Sequence, residues 1–219
     1  MAENKVNVSV LGVFLGGIAA LAAGLLAFVS EQTNDAIAAN RLKKTTAALE
    51  RVLPAFDNVP ADETLVFDAP QGWPVTFYVA RKDGKPVGFA GEVVTPKGFS
   101  GDVTVMVGLN ADASVRKVIV VKNNETPGLG TVVCDRKNAK TLFDVLSGKK
   151  PPEGLPPNPL LDQYEERKAG ASEWKVKKDG GDVDAKTGAT ITSRAVCGAV
   201  YAVAETAGEH LEELSKGAE

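Results

Sequence analysis

The sequence predicts an α+β protein: a single N-terminal transmembrane helix followed by one soluble domain in which an antiparallel sheet is packed by helices. Three observations carry this expectation. Val6 to Ser30 contains no charged residue, and a run of that length suits a membrane. From Glu63 to Lys122, short runs rich in β-branched and aromatic residues alternate with turn signals, the pattern of hairpin-connected strands. Near the C-terminus Val196, Ala199, Val200, Val203, Ala207 and Leu211 recur at helical intervals, as on a helix that buries one face.

The uncharged run comes first in the chain. At 1.5 Å per residue it makes a helix of about 37 Å, enough to cross a hydrocarbon core of roughly 30 Å with some tilt. Two readings compete, a permanent anchor and a signal peptide cleaved at its ALA or AAG steps. The length of the run, and a leader carrying Lys5 against Glu3, favour the anchor. Gly12, Gly16, Gly17, Ala19, Ala20, Ala23 and Gly24 would let a neighbouring transmembrane helix approach closely. Charge does not set the orientation, since Glu31 and Asp35 are followed by Arg41, Lys43 and Lys44. The default for one N-terminal span puts the N-terminus in the cytoplasm and the domain on the extracytoplasmic side.

Beyond the span, EQTNDAIAANRLKKTTAALERVLP keeps helical spacing through Ile37, Leu42, Leu49 and Val52 until Pro54 ends it. It reads equally as a stalk or as a helix packed on the domain. The organisation expected is 1–30 leader and anchor, 31–60 connecting helix, 61–219 domain. LVFDAP, VTFYVA, PVGFAGEVV, DVTVMVGL and VRKVIVVK are the expected strands. Asp83-Gly84, the segment Pro96 to Gly101 and the segment Asn110 to Ala113 supply turns too short for parallel crossovers, so pairing is antiparallel. After them come a loop, NNETPGLGT, a helix near Asn138 to Leu146, an irregular SGKKPPEGLPPNP, one more strand at Trp174 to Lys178, and a final helix from Ser193 to Lys216.

Composition excludes several functions. With 44% hydrophobic residues, 24% charged residues and a net charge of −3, the chain lacks the basic surface that nucleic acid requires. One histidine, His210, and two cysteines, Cys134 and Cys197, are too few for zinc sites, for an iron–sulfur cluster held by this chain alone, or for a His-based triad. The cysteines read as buried small hydrophobes before they read as a disulfide or as ligands to a shared cluster. His210 and the pair Lys149 and Lys150 read as surface residues; Trp73 and Trp174 are core residues or neighbours of a ligand.

Two segments have the chemistry of a binding site. In Asp184-Ala185-Lys186-Thr187-Gly188-Ala189-Thr190-Ile191-Thr192-Ser193, hydroxyl side chains crowd the start of the last helix. That suits either a phosphate, bound by free amides and the helix dipole, or an ordinary Ser/Thr helix cap. In Glu125-Thr126-Pro127-Gly128-Leu129-Gly130, an apolar Leu129 stands at the tip of a stiff loop. It either covers a flat apolar ligand or plugs the domain's own core, and Phe99 in Gly98-Phe99-Ser100-Gly101 poses the same choice.

GFSG, NNETPGLG and GGDVDAKTGATITSRAV, in that order behind one membrane span, resemble the FMN-binding domain family. The likeness is strongest to the single-span subunits of Rnf-type ferredoxin:NAD oxidoreductase complexes, with those of the sodium-pumping NADH:quinone reductase (Nqr) next. SEQTNDAI and ALERVLP extend it over nearly the whole chain. The resemblance implies FMN joined through its phosphate to Thr190, a phosphoester made by a flavin transferase that reads Asp-x-x-Ser/Thr-Gly-Ala-Thr. That pattern is matched here by Asp184, Thr187, Gly188, Ala189 and Thr190, with Asp184 in the recognition role. It further implies that Glu125, Thr126, Gly128 and Leu129 border the flavin ring, with Phe99 on its other face, and that no side chain is itself catalytic. Its partners would be an integral flavin subunit and iron–sulfur-bearing membrane subunits of an ion-translocating complex, in the inner membrane with the domain periplasmic. The bound flavin would relay electrons. The GLG of ETPGLG lacks the strand–helix unit of a dinucleotide fingerprint, so direct NADH oxidation is not expected. A flavin-free sensor or assembly domain on the same fold is the competing reading.

Overall fold

The computed structural model describes residues 8–137, 154–170 and 174–217. The helix expected near Asn138 to Leu146, Lys149 and Lys150, and the leader residues Glu3 and Lys5 lie outside them. The chain divides into two units, Met1–Lys44 and Thr45–Glu219.

In the first unit runs most of helix α1 (Val8–Val52). Within that unit its apolar residues are exposed on every side, Val13, Leu21 and Leu26 among them. A helix apolar all round has no face to bury in a small soluble domain, and this one is long and apolar enough to cross a membrane.

The second unit is built on five strands: β1 (Thr64–Asp68), β2 (Pro74–Lys82), β3 (Lys85–Gly98), β4 (Gly101–Asn110) and β5 (Val115–Lys122). They form one antiparallel meander in the order β1-β2-β3-β4-β5, so the fold class and the five strands follow the expectation. Asp83 and Gly84 take φ of 52° and 73°, the left-handed pair that a tight hairpin turn demands. Alternation along the strands sends successive side chains to opposite faces. Val79, Phe89, Val105 and Val118 join the larger core, while Ala80, Ala90, Met106 and Ile119, each the next residue along, join the smaller one.

Each face has its own cover. The smaller core is closed by Ala48, Leu49, Val52 and Leu53, so the last turns of the segment expected as a connecting helix belong to the compact unit. Gly108 lets them approach: a Cβ there would lie 2.2 Å from the Val52 carbonyl oxygen. The larger core is closed by helix α4 (Thr190–Glu209), whose buried Val196, Ala199, Val200 and Val203 are those the helical spacing picked out.

Among the described residues between sheet and α4 lie two short α-helices, α2 (Gly130–Cys134) and α3 (Pro159–Asp162). Asn158 ties them together. Its side chain accepts from Leu160 N at 3.0 Å at the start of α3 and donates to the Val132, Val133 and Asp135 carbonyls at the end of α2. This satisfies groups that helix ends leave open.

Two expectations need correction. Trp174 to Lys178 is not a strand. Val176 makes a single parallel bridge to Val183, because a 3-10 turn at Lys177–Asp179, ended by a left-handed Gly180, folds the chain back at once. Nor is the last helix one piece from Ser193 to Lys216. It begins three residues earlier, at Thr190, and breaks at His210 before α5 (Leu211–Lys216). The His210 ring stacks on Phe67 of β1, with centroids 4.1 Å apart and planes 13° off parallel, and Nδ1 meets Glu213. His210 is therefore partly packed, where the sequence reading puts it on the surface.

Candidate functional site

A cleft of about 330 Å³ opens where the β3–β4 turn, the β5–α2 loop and the start of α4 converge. Phe99 lies at the tip of the two-residue turn between the paired Gly98 and Gly101, and is 64% exposed. Leu129 stands opposite on the β5–α2 loop, 45% exposed, so neither side chain plugs the core. The loop is held by its own bonds: Leu129 N donates to Thr126 O at 3.2 Å, Gly128 N to Thr131 Oγ1 at 2.9 Å, and Glu125 N to Asn123 Oδ1 at 3.2 Å.

At the base of the cleft lies Glu125, a carboxylate only 5% exposed. Burying such a group without partners is costly. It accepts from the Thr192 hydroxyl at 2.8 Å and from Ser100 N at 3.3 Å, which fastens all three converging elements to one side chain. Gly130 makes the room: a Cβ there would stand 2.4 Å from Glu125 Oε2.

The start of α4 closes the cleft. Its N-cap residue is Ala189, with no side-chain hydrogen bond to the helix amides. The Ser/Thr cap weighed in the sequence is therefore not made. Ser193 instead donates to Ala189 O at 2.9 Å and accepts from Lys186 N at 3.2 Å. Open first-turn amides and the positive end of a 20-residue helix are the elements of an anion site. Thr190 places Oγ1 there, and Lys178 Nζ donates to it at 3.2 Å. The donor set suits a phosphate beside an apolar, planar group: amides, a hydroxyl and an ammonium at one end, Phe99, Leu129 and Ile191 around the mouth.

Of the residues singled out in the sequence, Thr190, Gly188, Ala189, Glu125, Thr126, Leu129 and Phe99 line this cleft, whereas Thr187, Gly128 and Asp184 do not. Thr187 is exposed on the turn before the helix. Asp184 is on the outside, where it pairs with Lys177 at 2.7 Å, and its backbone is held by Gln163. Sequence reading counts Thr192 only among the hydroxyls crowding the helix start and assigns no site role to Lys178, Ile191 or Gly130; these four complete the lining. Thr192 and Ile191 had a signal, since they follow Thr190 directly; Lys178 had none.

A second cleft, of about 430 Å³, shares Ile191 with the first and is lined by Trp73, Lys97, Trp174, Arg194 and Cys197 among others. Two of its cations are already engaged: Lys97 Nζ sits 5.0 Å from the Trp73 ring centre, and Arg194 grips Asp179 through Nε and Nη2 at 2.7 and 2.5 Å. That guanidinium holds the Asp179 carboxyl below the usual carboxylate range. Trp174 is buried against Tyr164 and Tyr201. Cys197 and Cys134 are free and buried, as expected, and burial pushes their thiols up to about 11 and about 12.

The fold and cleft are those of a flavin-binding domain: residues 98–205 match the FMN-binding domain family, a span that includes the whole cleft lining. Over 211 residues, 93% of each chain, the protein is 34% identical to the G subunit of the ion-translocating oxidoreductase complex of Photorhabdus laumondii. It is 33% identical to that of Salmonella typhimurium over 207 residues, 93% of this chain and 90% of the relative. For the Escherichia coli protein of the same name the figures are 33% over 195 residues, 86% and 85%. The chain belongs to the family of G subunits of ion-translocating oxidoreductase complexes.

Proposed function

We propose that this protein is an electron-transfer subunit of a membrane-bound, Rnf-type ion-translocating oxidoreductase complex, and that it carries FMN in phosphoester linkage to Thr190. The observation that carries the reading is Thr190 Oγ1 in the cleft, at an uncapped helix start and 3.2 Å from Lys178 Nζ, within a stretch that matches the transferase pattern from Asp184 to Thr190.

The FMN supplies the chemistry, taking up and passing on electrons. The chain's residues bind and orient it. Thr190 anchors the phosphate, and the open amides of α4 and its dipole stabilise the remaining negative charge. Phe99 and Leu129 flank the ring and exclude water from part of it, while Glu125 and Thr126 present polar groups at its edge. Gly188 and Ala189 keep the approach to Thr190 free of bulk. Thr187, Gly128 and Asp184 act through the backbone turn or in recognition by the flavin transferase, consistent with Asp184 being exposed.

The protein is anchored by α1, with residues 1–30 as leader and span, 31–60 as connecting helix and 61–219 as FMN-binding domain. The N-terminus faces the cytoplasm and the domain faces the periplasm. Its neighbours are an integral flavin subunit and iron–sulfur-bearing subunits, between which it relays electrons from the ferredoxin side to the NAD side.

The test is in-gel flavin fluorescence of the denatured full-length protein after coexpression with a flavin transferase, with intact mass as the second readout. A fluorescent wild-type band and a dark Thr190→Val band are expected. A dark wild-type band, or a bright Thr190→Val band, would refute the linkage.

A further inference from the structure

We infer that Lys178 is the cation that holds the flavin phosphate at Thr190, and that the Asp179–Arg194 pair is the device that positions it. This rests on Thr190 being the attachment residue. On α4, Thr190 and Arg194 are one turn apart and share a face. Facing them, the 3-10 turn at Lys177–Asp179 presents two consecutive residues. Lys178 reaches Thr190 Oγ1 at 3.2 Å, and Asp179 receives Arg194 through two bonds. The second contact sets the register of the first.

The turn itself is closed by Lys177 N donating to Val183 O at 2.8 Å and by the Val176 to Val183 bridge. Charge then singles out Lys178. Lys177 is neutralised by Asp184 and Arg194 by Asp179, whereas Lys178 makes no ion pair among the described residues and donates to a neutral hydroxyl. An ammonium ion in that position lacks a counter-charge. A phosphodiester on the same oxygen supplies one, and bonds between ionised partners are about twice as strong as neutral ones.

The ammonium also acts while the ester is made. The Thr190 oxygen forms a bond to the flavin-side phosphorus of a flavin dinucleotide, and the phosphoanhydride bond breaks. The nucleoside monophosphate leaves with its own phosphate, and the hydroxyl proton is released to solvent. The Lys178 side chain offsets the repulsion between anionic groups at the attacking oxygen.

The experiment takes full-length flavin-free protein in detergent, adds purified transferase, FAD and Mg²⁺, and follows labelling by in-gel fluorescence and intact mass. The initial rate should fall about tenfold in Lys178→Gln and about a hundredfold in Lys178→Glu, and return to within about twofold in Lys178→Arg. Asp179→Asn should give a smaller loss than Lys178→Gln. The melting temperature of the flavin-free protein should not move, since Lys178 is exposed. In the labelled protein the phosphorus-31 resonance should differ between wild type and Lys178→Gln. Wild-type labelling by Lys178→Gln, no rescue by Lys178→Arg, or an identical phosphorus resonance in the two labelled proteins would each overturn the inference while Thr190→Val stays dark. A labelled Thr190→Val would instead bring down the attachment reading beneath it.

Discussion

Two clefts share Ile191 in the first turn of α4, and they differ in what their charges are free to do. In the one at Thr190, an ammonium, a hydroxyl and open helix amides converge, while the carboxylate in the lining, Glu125, is already engaged by Thr192 and Ser100. In the one at Trp73 and Trp174, Arg194 is satisfied by Asp179, and Lys97 lies over an indole ring. The second is somewhat larger, so size is a poor guide to which one binds. Unsatisfied donors aimed at one point are the better guide, because a ligand gains most where it replaces water rather than an existing partner.

Substitutions can break this contrast. Trp174→Ala removes a large buried ring that packs on Tyr164 and Tyr201. It should cost about 3 to 5 kcal/mol in urea unfolding yet leave flavin content per folded molecule unchanged. Loss of flavin from the folded variant would make the second cleft part of the site. Thr192→Val takes the hydroxyl from the buried Glu125 and should cost about 1 to 3 kcal/mol. Adding Glu125→Gln should recover part of that by removing the stranded charge, and a double variant no more stable than Thr192→Val would contradict the role given to that bond.

Raising pH probes the second cleft through Cys197 and the buried face of α2 through Cys134. Cys197 walls the second cleft and Cys134 sits on α2, where the charge of Glu125 adds to burial. Both thiols hold their proton longer folded than unfolded. Their contribution to stability is therefore fully present below the ordinary thiol value of 9.0 and is lost as pH rises through about 11 and about 12. The urea midpoint should fall between pH 8 and pH 10.5, less so in Cys197→Ser, and native protein should react slowly with a thiol reagent at pH 8. Fast modification of Cys197 would mean that the second cleft opens in solution. The smallest stability effect belongs to Phe99→Ala. At an exposed turn it should change stability by no more than about 0.5 kcal/mol, while altering the absorbance and fluorescence of the attached flavin. An unaltered flavin spectrum would remove Phe99 from the site.

Much of this architecture is legible in the order of residues. β-branched runs and Asp83-Gly84 announce a hairpin meander because strand period and turn geometry are local properties. The apolar stripe on α4 is local in the same way. The break at His210 is not legible: the ring there stacks on Phe67, some 140 residues earlier in the chain, a contact no local pattern announces. Nor is the fate of Trp174 to Lys178, where β-like residues found no partner strand beyond one bridge.

The site divides along the same line. The run from Asp184 to Ser193, the ETPGLG loop and the GFSG turn stand out in the sequence because glycine, proline and clustered hydroxyls mark irregular backbone, and Thr190, Glu125, Leu129 and Phe99 could be named from them. By itself the sequence determined a membrane-length helix, five antiparallel strands and the candidate attachment residue. Tertiary structure alone decided that the Thr/Ser cap is not made, that Asp184 faces outward, and that Lys178, twelve residues before Thr190, is the cation beside it. Local chemistry fixes what each residue can do, but which donors remain unsatisfied is known only once the folded chain has paired all the others.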